Sequence, residues 1–173
     1  KFISKKISVI LLLSGVLFVG SAFQWAGNYH FKSIFVYNFT NNIKWPHNPE
    51  KIIIGVMSER QEVINAFRMM AEKKSGSSKS FEIIEFKSAS PVKGIEIVFI
   101  AEDKASELSA VCQIYEGSNT LLITEIEGGI EAGCGINFIE SQSKIAFQVN
   151  QKGLEKAGLL VSKELISLAS QKD

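Results

Sequence analysis

The feature that most constrains this chain is a series of short, nearly unbroken apolar runs separated by segments of helical periodicity. The runs are KIIIGVM at 51–57, FEIIEF at 81–86, IEIVFIA at 95–101 and TLLIT at 120–124. Continuous β-branched runs of this length are what strands covered on both faces require. Between them, Val63, Ile64, Phe67, Met70 and Ala71 form one helical stripe, and Leu108, Val111, Cys112 and Tyr115 form another within 104–116. Strand–helix alternation implies right-handed crossovers and a mostly parallel sheet. Two further runs, 136–140 and 144–149, are joined by Ser141-Gln142-Ser143 and read as an antiparallel hairpin. The expected fold is therefore a single α/β domain: a mostly parallel sheet, an antiparallel C-terminal hairpin and helices on both faces.

Local signals set the element ends. Residues 30–43 carry Phe31, Ile34, Phe35 and Phe39 as a helical stripe that stops before Trp45-Pro46. Ser58 and Gln61 have the spacing of a capping box. The SGSSKS stretch at 75–80 and Ser90-Pro91 read as loops. Asn150 is expected to cap a short helix ending at Gly158. Ser162 is expected to cap the last helix, with Leu165, Ile166 and Leu168 inward.

Ahead of this domain, Lys1, Lys5 and Lys6 precede an apolar run from Ile7 to Val19 and a Gly20-Ser21-Ala22 exit. A basic region, a short apolar region and small residues at a cleavage point make residues 1–22 a signal peptide and 23–173 the mature domain. An uncleaved anchor is the alternative, but a spanning helix needs about 20 apolar residues. Removing three lysines and no acid from 19 basic and 18 acidic residues changes the formal charge from +1 to −2. Such a body lacks the basic footprint of a nucleic-acid binder. Export would bring Cys112 and Cys134 into an oxidising compartment, where a disulfide could persist. Two small buried hydrophobes are the other reading.

Catalytic chemistry is poorly supplied. His30 and His47 are the only histidines, and no G-x-S-x-G elbow occurs. The S-x-x-K matches at 90–93 and 141–144 fall in turns, not at a helix start. Two histidines and two cysteines without ligand spacing make no metal site, and no cofactor is expected. The sequon at Asn38 lies in a helical stripe. The segment GGIEAGCG at 128–135 follows a strand but precedes a strand-like run, which weakens a phosphate-cradle reading. It is either a tight backbone needing positive φ or a ligand or partner loop at the carboxyl edge of a strand.

Several segments together resemble one family. Residues 32–39 (KSIFVYNF) leading to Ile43-Lys44-Trp45-Pro46 are similar to its opening helix, K-A-x-F-x-Y-N-F ending in W-P. IIGVM at 53–57, IVFI at 97–100, TLLIT at 120–124, GCGINF at 133–138, FQVN at 147–150 and AGLLVSKELISLA at 157–169 follow in its order. This is the YfiR family of periplasmic regulators. The resemblance implies an exported, non-catalytic α/β domain that binds the periplasmic sensor region of a membrane diguanylate cyclase or related signalling protein such as a sensor kinase. It also implies an outer-membrane lipoprotein as a sequestering partner, and homodimerisation. The cysteines depart from the family pattern: Ile95-Glu96 stands where a Cys is common, and Cys134 where an alanine is common. Phe35, Asn38, Trp45, Gly129, Gly133, Asn137 and Asn150 are the residues expected to shape a partner or ligand surface. A periplasmic small-molecule receptor feeding a transporter or sensor kinase is the alternative function.

Overall fold

A computed structural model describes residues 19–76, 79–141 and 144–169. The signal-peptide region therefore lies outside the described residues up to position 18, as do Ser77 and Ser78 of the polar loop and Gln142 and Ser143 of the hairpin turn. The order is α1 (Val19–Asn42), β1 (Ile43–Lys44), β2 (Lys51–Met57), α2 (Gln61–Lys74), β3 (Ser80–Phe86) and β4 (Ile97–Ile100). A 3₁₀ segment (Glu102–Glu107), α3 (Leu108–Ile114), β5 (Leu121–Thr124), α4 (Gly129–Ala132), β6 (Ile136–Ser141) and β7 (Lys144–Val149) follow. The chain ends with α5 (Gln151–Lys156), β8 (Leu160–Val161) and α6 (Lys163–Leu168).

The main sheet has the strand order β3-β2-β4-β5-β6-β7. Every pairing is parallel except β6 with β7. The mostly parallel sheet with an antiparallel hairpin is thus the observed architecture. Side chains along the central strands alternate between two apolar layers. Ile54, Val56, Ile97, Phe99, Leu121 and Ile123 join α1 and α2 on one side. Met57, Val98, Ile100 and Leu122 join α3 on the other. Period-two alternation on a strand buried on both faces leaves almost no polar position, which is why these runs read as continuous.

Several local expectations change. Helix α2 buries the predicted stripe from Val63 to Ala71, but the capping box does not form. Its N-cap is Arg60, without a side-chain cap, because the Ser58 hydroxyl donates to Asp103 Oδ1 at 2.8 Å and accepts the Arg60 N–H at 3.0 Å. The helix expected over 104–116 begins as 3₁₀ and becomes α-helical only at Leu108. Phe31 is 58% exposed and Leu168 72% exposed, contrary to their inward placement. The row of α1 that faces the core is Tyr29, Lys32, Ser33, Val36, Phe39 and Thr40, on the opposite side of the helix from Phe31. Ser33 and Thr40 are tolerated there because their hydroxyls donate to the His30 and Tyr37 carbonyls of the same helix. Asn150 and Ser162 cap α5 and α6 as expected, accepting from the Gly153 and Leu165 N–H groups.

A charged crevice at the carboxyl edge

Strand order reverses where β2 lies between β3, which follows it in the chain, and β4. In open parallel sheets, the carboxyl ends of strands beside such a switch form the usual binding crevice. Here β2 ends into Ser58-Glu59-Arg60, β4 into Glu102-Asp103-Lys104 and β5 into Glu125. Helix α1 contributes Tyr29 and Lys32 from above.

Glu125 is the hub. Its carboxylate accepts the Tyr29 hydroxyl at 2.8 Å and the Glu102 N–H at 2.9 Å, and it pairs with the Lys32 ammonium. Both side chains of that ion pair are under 10% exposed. Arg60 donates to the Tyr29 hydroxyl, stacks over its ring at 5.0 Å and approaches Asp103 at 3.4 Å. Asp103 also accepts from the Glu59 N–H at 2.7 Å. Lys104 closes the outer side, bonding Glu59 at 2.5 Å and the Lys87 carbonyl at 2.6 Å.

The protonation states follow from these partners. Burial, reinforced by the neighbouring Glu125 charge, pushes the Tyr29 phenol well above its ordinary range, so it remains a donor. Partial burial opposes ionisation of Asp103. The Glu59 N–H, the Ser58 hydroxyl and Arg60 outweigh it and hold the carboxyl below its usual value. The arrangement is a mutually satisfied lattice of charges, able to hold a surface in one geometry.

The glycine segment forms one wall of this region. It is not a plain loop: α4 makes a single helical turn inside it, entered at Gly128 with φ 78° and left at Gly133 with φ 113°. Gly129 lies so close to the sheet that an added Cβ would stand 2.3 Å from Thr124 Cγ2 and 3.1 Å from Asn137 Oδ1. Asn150 staples the segment to the hairpin, its amide donating to the Cys134 carbonyl at 3.3 Å. The structure thus gathers Gly129, Gly133, Asn137 and Asn150 around one segment. Phe35 touches the reverse side of the same hairpin, with ring centroids 6.1 Å from both Phe138 and Phe147. Asn38 is exposed on α1. Trp45 lies at the opposite, amino edge, where its indole N–H donates to the Glu96 carbonyl at 3.3 Å.

Cys112 and Cys134 are free thiols with their sulfurs 3.7 Å apart, bridging α3 and the glycine segment. Their shared contact makes Cys112 the more acidic partner. The same contact and burial keep Cys134 protonated.

Tyr29, Lys32, Arg60, Asp103, Lys104 and Glu125 were not among the residues anticipated from sequence. A signal existed for four of them: Arg60, Asp103, Lys104 and Glu125 are among the first polar residues after three buried strand runs. Tyr29 and Lys32 had none, because only packing brings α1 over those strand ends.

Among the described residues, no helix is long and apolar enough to cross a membrane, and no group of three or more His, Cys, Asp or Glu is placed to hold a metal ion. No curated protein matches the chain. The motif at 32–39 running into Trp45-Pro46, the strand sequence and the glycine segment all lie within residues 29–170, which match the YfiR/HmsC-like family, and the chain belongs to that family.

Proposed function

We propose that this protein is a non-catalytic regulator of the cell envelope, exported to the periplasm after loss of residues 1–22, where it binds the periplasmic region of a membrane signalling protein. Family membership supports a diguanylate cyclase as that partner. An outer-membrane lipoprotein that sequesters the regulator, and a homodimer, belong to the same reading. The observation that carries a binding role is the pairing at the carboxyl edge. Glu125, Asp103, Arg60 and Lys104 each hold another side chain or backbone group of the lattice. General acid–base chemistry needs a group poised near the working pH. Tyr29 and Asp103 are instead driven away from neutrality in opposite directions.

The proposed surface comprises the exposed part of α1 around Asn38, with Phe35 beneath it, and the glycine segment shaped by Gly129, Gly133, Asn137 and Asn150. Trp45 supports the base of α1. Affinity capture of the full chain from its own solubilised envelope, with mild crosslinking and mass spectrometry, tests this directly. A membrane cyclase or sensor kinase is expected in the eluate, and Asn38→Arg is expected to diminish its recovery without lowering the melting temperature. A blank eluate, or recovery unchanged by that variant, would remove the regulator reading or its surface, respectively. A second reading, a small-molecule receptor, is favoured by the cavity that adjoins the charged lattice.

A further inference from the structure

One pair of reactive side chains plays no part in the charged crevice. Cys112 on α3 and Cys134 at the end of the glycine segment are both free, with their sulfurs 3.7 Å apart. The two are not equally reachable. Cys134 is fully buried. Its backbone is fixed on both sides, the N–H donating to the Gly129 carbonyl at 3.0 Å and the carbonyl accepting from Asn150. Cys112 is half-buried and lines a cavity of about 450 Å³ between α3, the glycine segment and α5, with Tyr115, Ile130 and Leu154 also in its wall. Gly133 borders the same cavity, and a Cβ there would meet nothing closer than Cys112 Cβ at 3.9 Å. The missing side chain leaves space beside Cys112.

A thiol that reaches a cavity, with a buried thiol in contact behind it, supplies both parts of a thiol–disulfide exchange site. We propose that this pair is a modification site for a small-molecule disulfide of the glutathione or cystine class, at which Cys112 attacks and Cys134 resolves. The Cys112 thiolate attacks one sulfur of the incoming disulfide. That S–S bond breaks, a bond to Cys112 forms, and the released thiolate takes up the proton that Cys112 gave up. Cys134 then attacks the Cys112 sulfur, breaking the mixed disulfide and passing its own proton to the second departing thiolate. The protein loses two hydrogens with their two electrons, and the small disulfide becomes two thiols. The hydrogen bond with Cys134 holds the Cys112 thiol below its ordinary value, which suits it to attack first. The sulfurs already touch, so closing to a bond of about 2 Å asks mainly for side-chain rotation. The product ties α3 to the glycine segment, 22 positions apart in the chain. The inference stands apart from the partner reading, because exchange requires no second protein and is measured on this chain alone.

The test exposes the reduced full chain, in mild non-ionic detergent, to glutathione disulfide. Acid quenching, alkylation of the remaining thiols and intact mass then report the products. The wild type is expected to end with no alkylatable thiol and no added glutathione, and peptide mapping to find Cys112 joined to Cys134. Cys134→Ala is expected to stop at one glutathionyl group on Cys112. Cys112→Ser is expected to react more than about tenfold more slowly, because its remaining thiol is buried and the thiolate, not the thiol, is the nucleophile. A wild type that keeps both thiols or a stable glutathionyl group overturns the proposal. Equal reaction rates of the two single variants, or disulfides formed only between chains, overturn it as well. Peptide mapping of the wild type decides the matter if either variant fails to fold.

Discussion

Two buried glutamates sit at opposite ends of the sheet and are satisfied in opposite ways. At the carboxyl edge, Glu125 answers mainly to side chains: Tyr29 and Lys32 of α1, and Arg60 from the segment after β2. At the amino edge, Glu96 answers mainly to backbone, accepting the Ile53 N–H at 2.7 Å, with His47 at 3.2 Å beside it. The Trp45 indole covers it, and β1 paired with β8 lies alongside. One end is sealed by an aromatic and a small sheet. The other is left as a crevice held open by charges. A carboxylate bonded to backbone locks strands in register, whereas one bonded to cations also needs those cations to stay in place. The contrast sets an amino edge closed by packing against a carboxyl edge lined with charge.

The largest effect should come from breaking the hub. Glu125→Ala leaves Lys32 buried without its counter-charge, which costs about 3–5 kcal/mol. Urea denaturation measures it, and the paired Lys32→Met, Glu125→Leu variant should recover most of the loss. A recovery no better than the single variant would mean that packing, not charge, makes Glu125 important.

The glycine wall comes next. Gly129→Ala forces a methyl into Thr124 and Asn137, an overpacking expected to cost about 1–3 kcal/mol. Adding Thr124→Ser removes the nearest methyl and should restore part of that stability. Additivity of the two changes would refute the close approach as the reason for glycine.

At the sealed end the expectation is smaller. Glu96→Gln keeps an oxygen for the Ile53 N–H, so the loss should be about 1 kcal/mol. A cost equal to that of Glu125→Ala would abolish the distinction between the two ends.

The mildest effect is on pH dependence. Asp103 has a depressed carboxyl in the folded state, so its contribution is present above the unfolded value, about 3.9. It is lost as pH falls through the lower folded value. Asp103→Asn should therefore flatten the acid limb of the stability curve below about pH 4 and leave its neutral shape unchanged. An unaltered acid limb would show that Asp103 is not held by its neighbours.

Much of the fold was legible because it rests on local rules. The runs at 52–57, 97–100 and 121–123 carry no polar residue, and only strands covered twice need that. Asn150 and Ser162 cap their helices because a cap depends on residues three positions away. The misreadings share a cause. Ser58 has the spacing of a capping box, but Asp103, 45 residues along the chain, competes for its hydroxyl and wins. Phe31 looked inward by hydropathy, yet the face of α1 is chosen by the sheet, and the sheet selects Tyr29 and Val36. Leu168 lies outward in the short last helix, where Leu165 alone reaches the core.

The sequence alone determined the alternation of strands and helices, the two-sided burial of the central sheet, the antiparallel hairpin and the family, because periodicity and motif order are properties of neighbouring residues. The tertiary structure decided the crevice. Tyr29 meets Glu125 across 96 positions, and Arg60 meets Tyr29 across 31. Ion pairs and hydrogen bonds depend on distances of a few ångströms, and no local pattern carries the information of which distant strand ends a helix will come to cover.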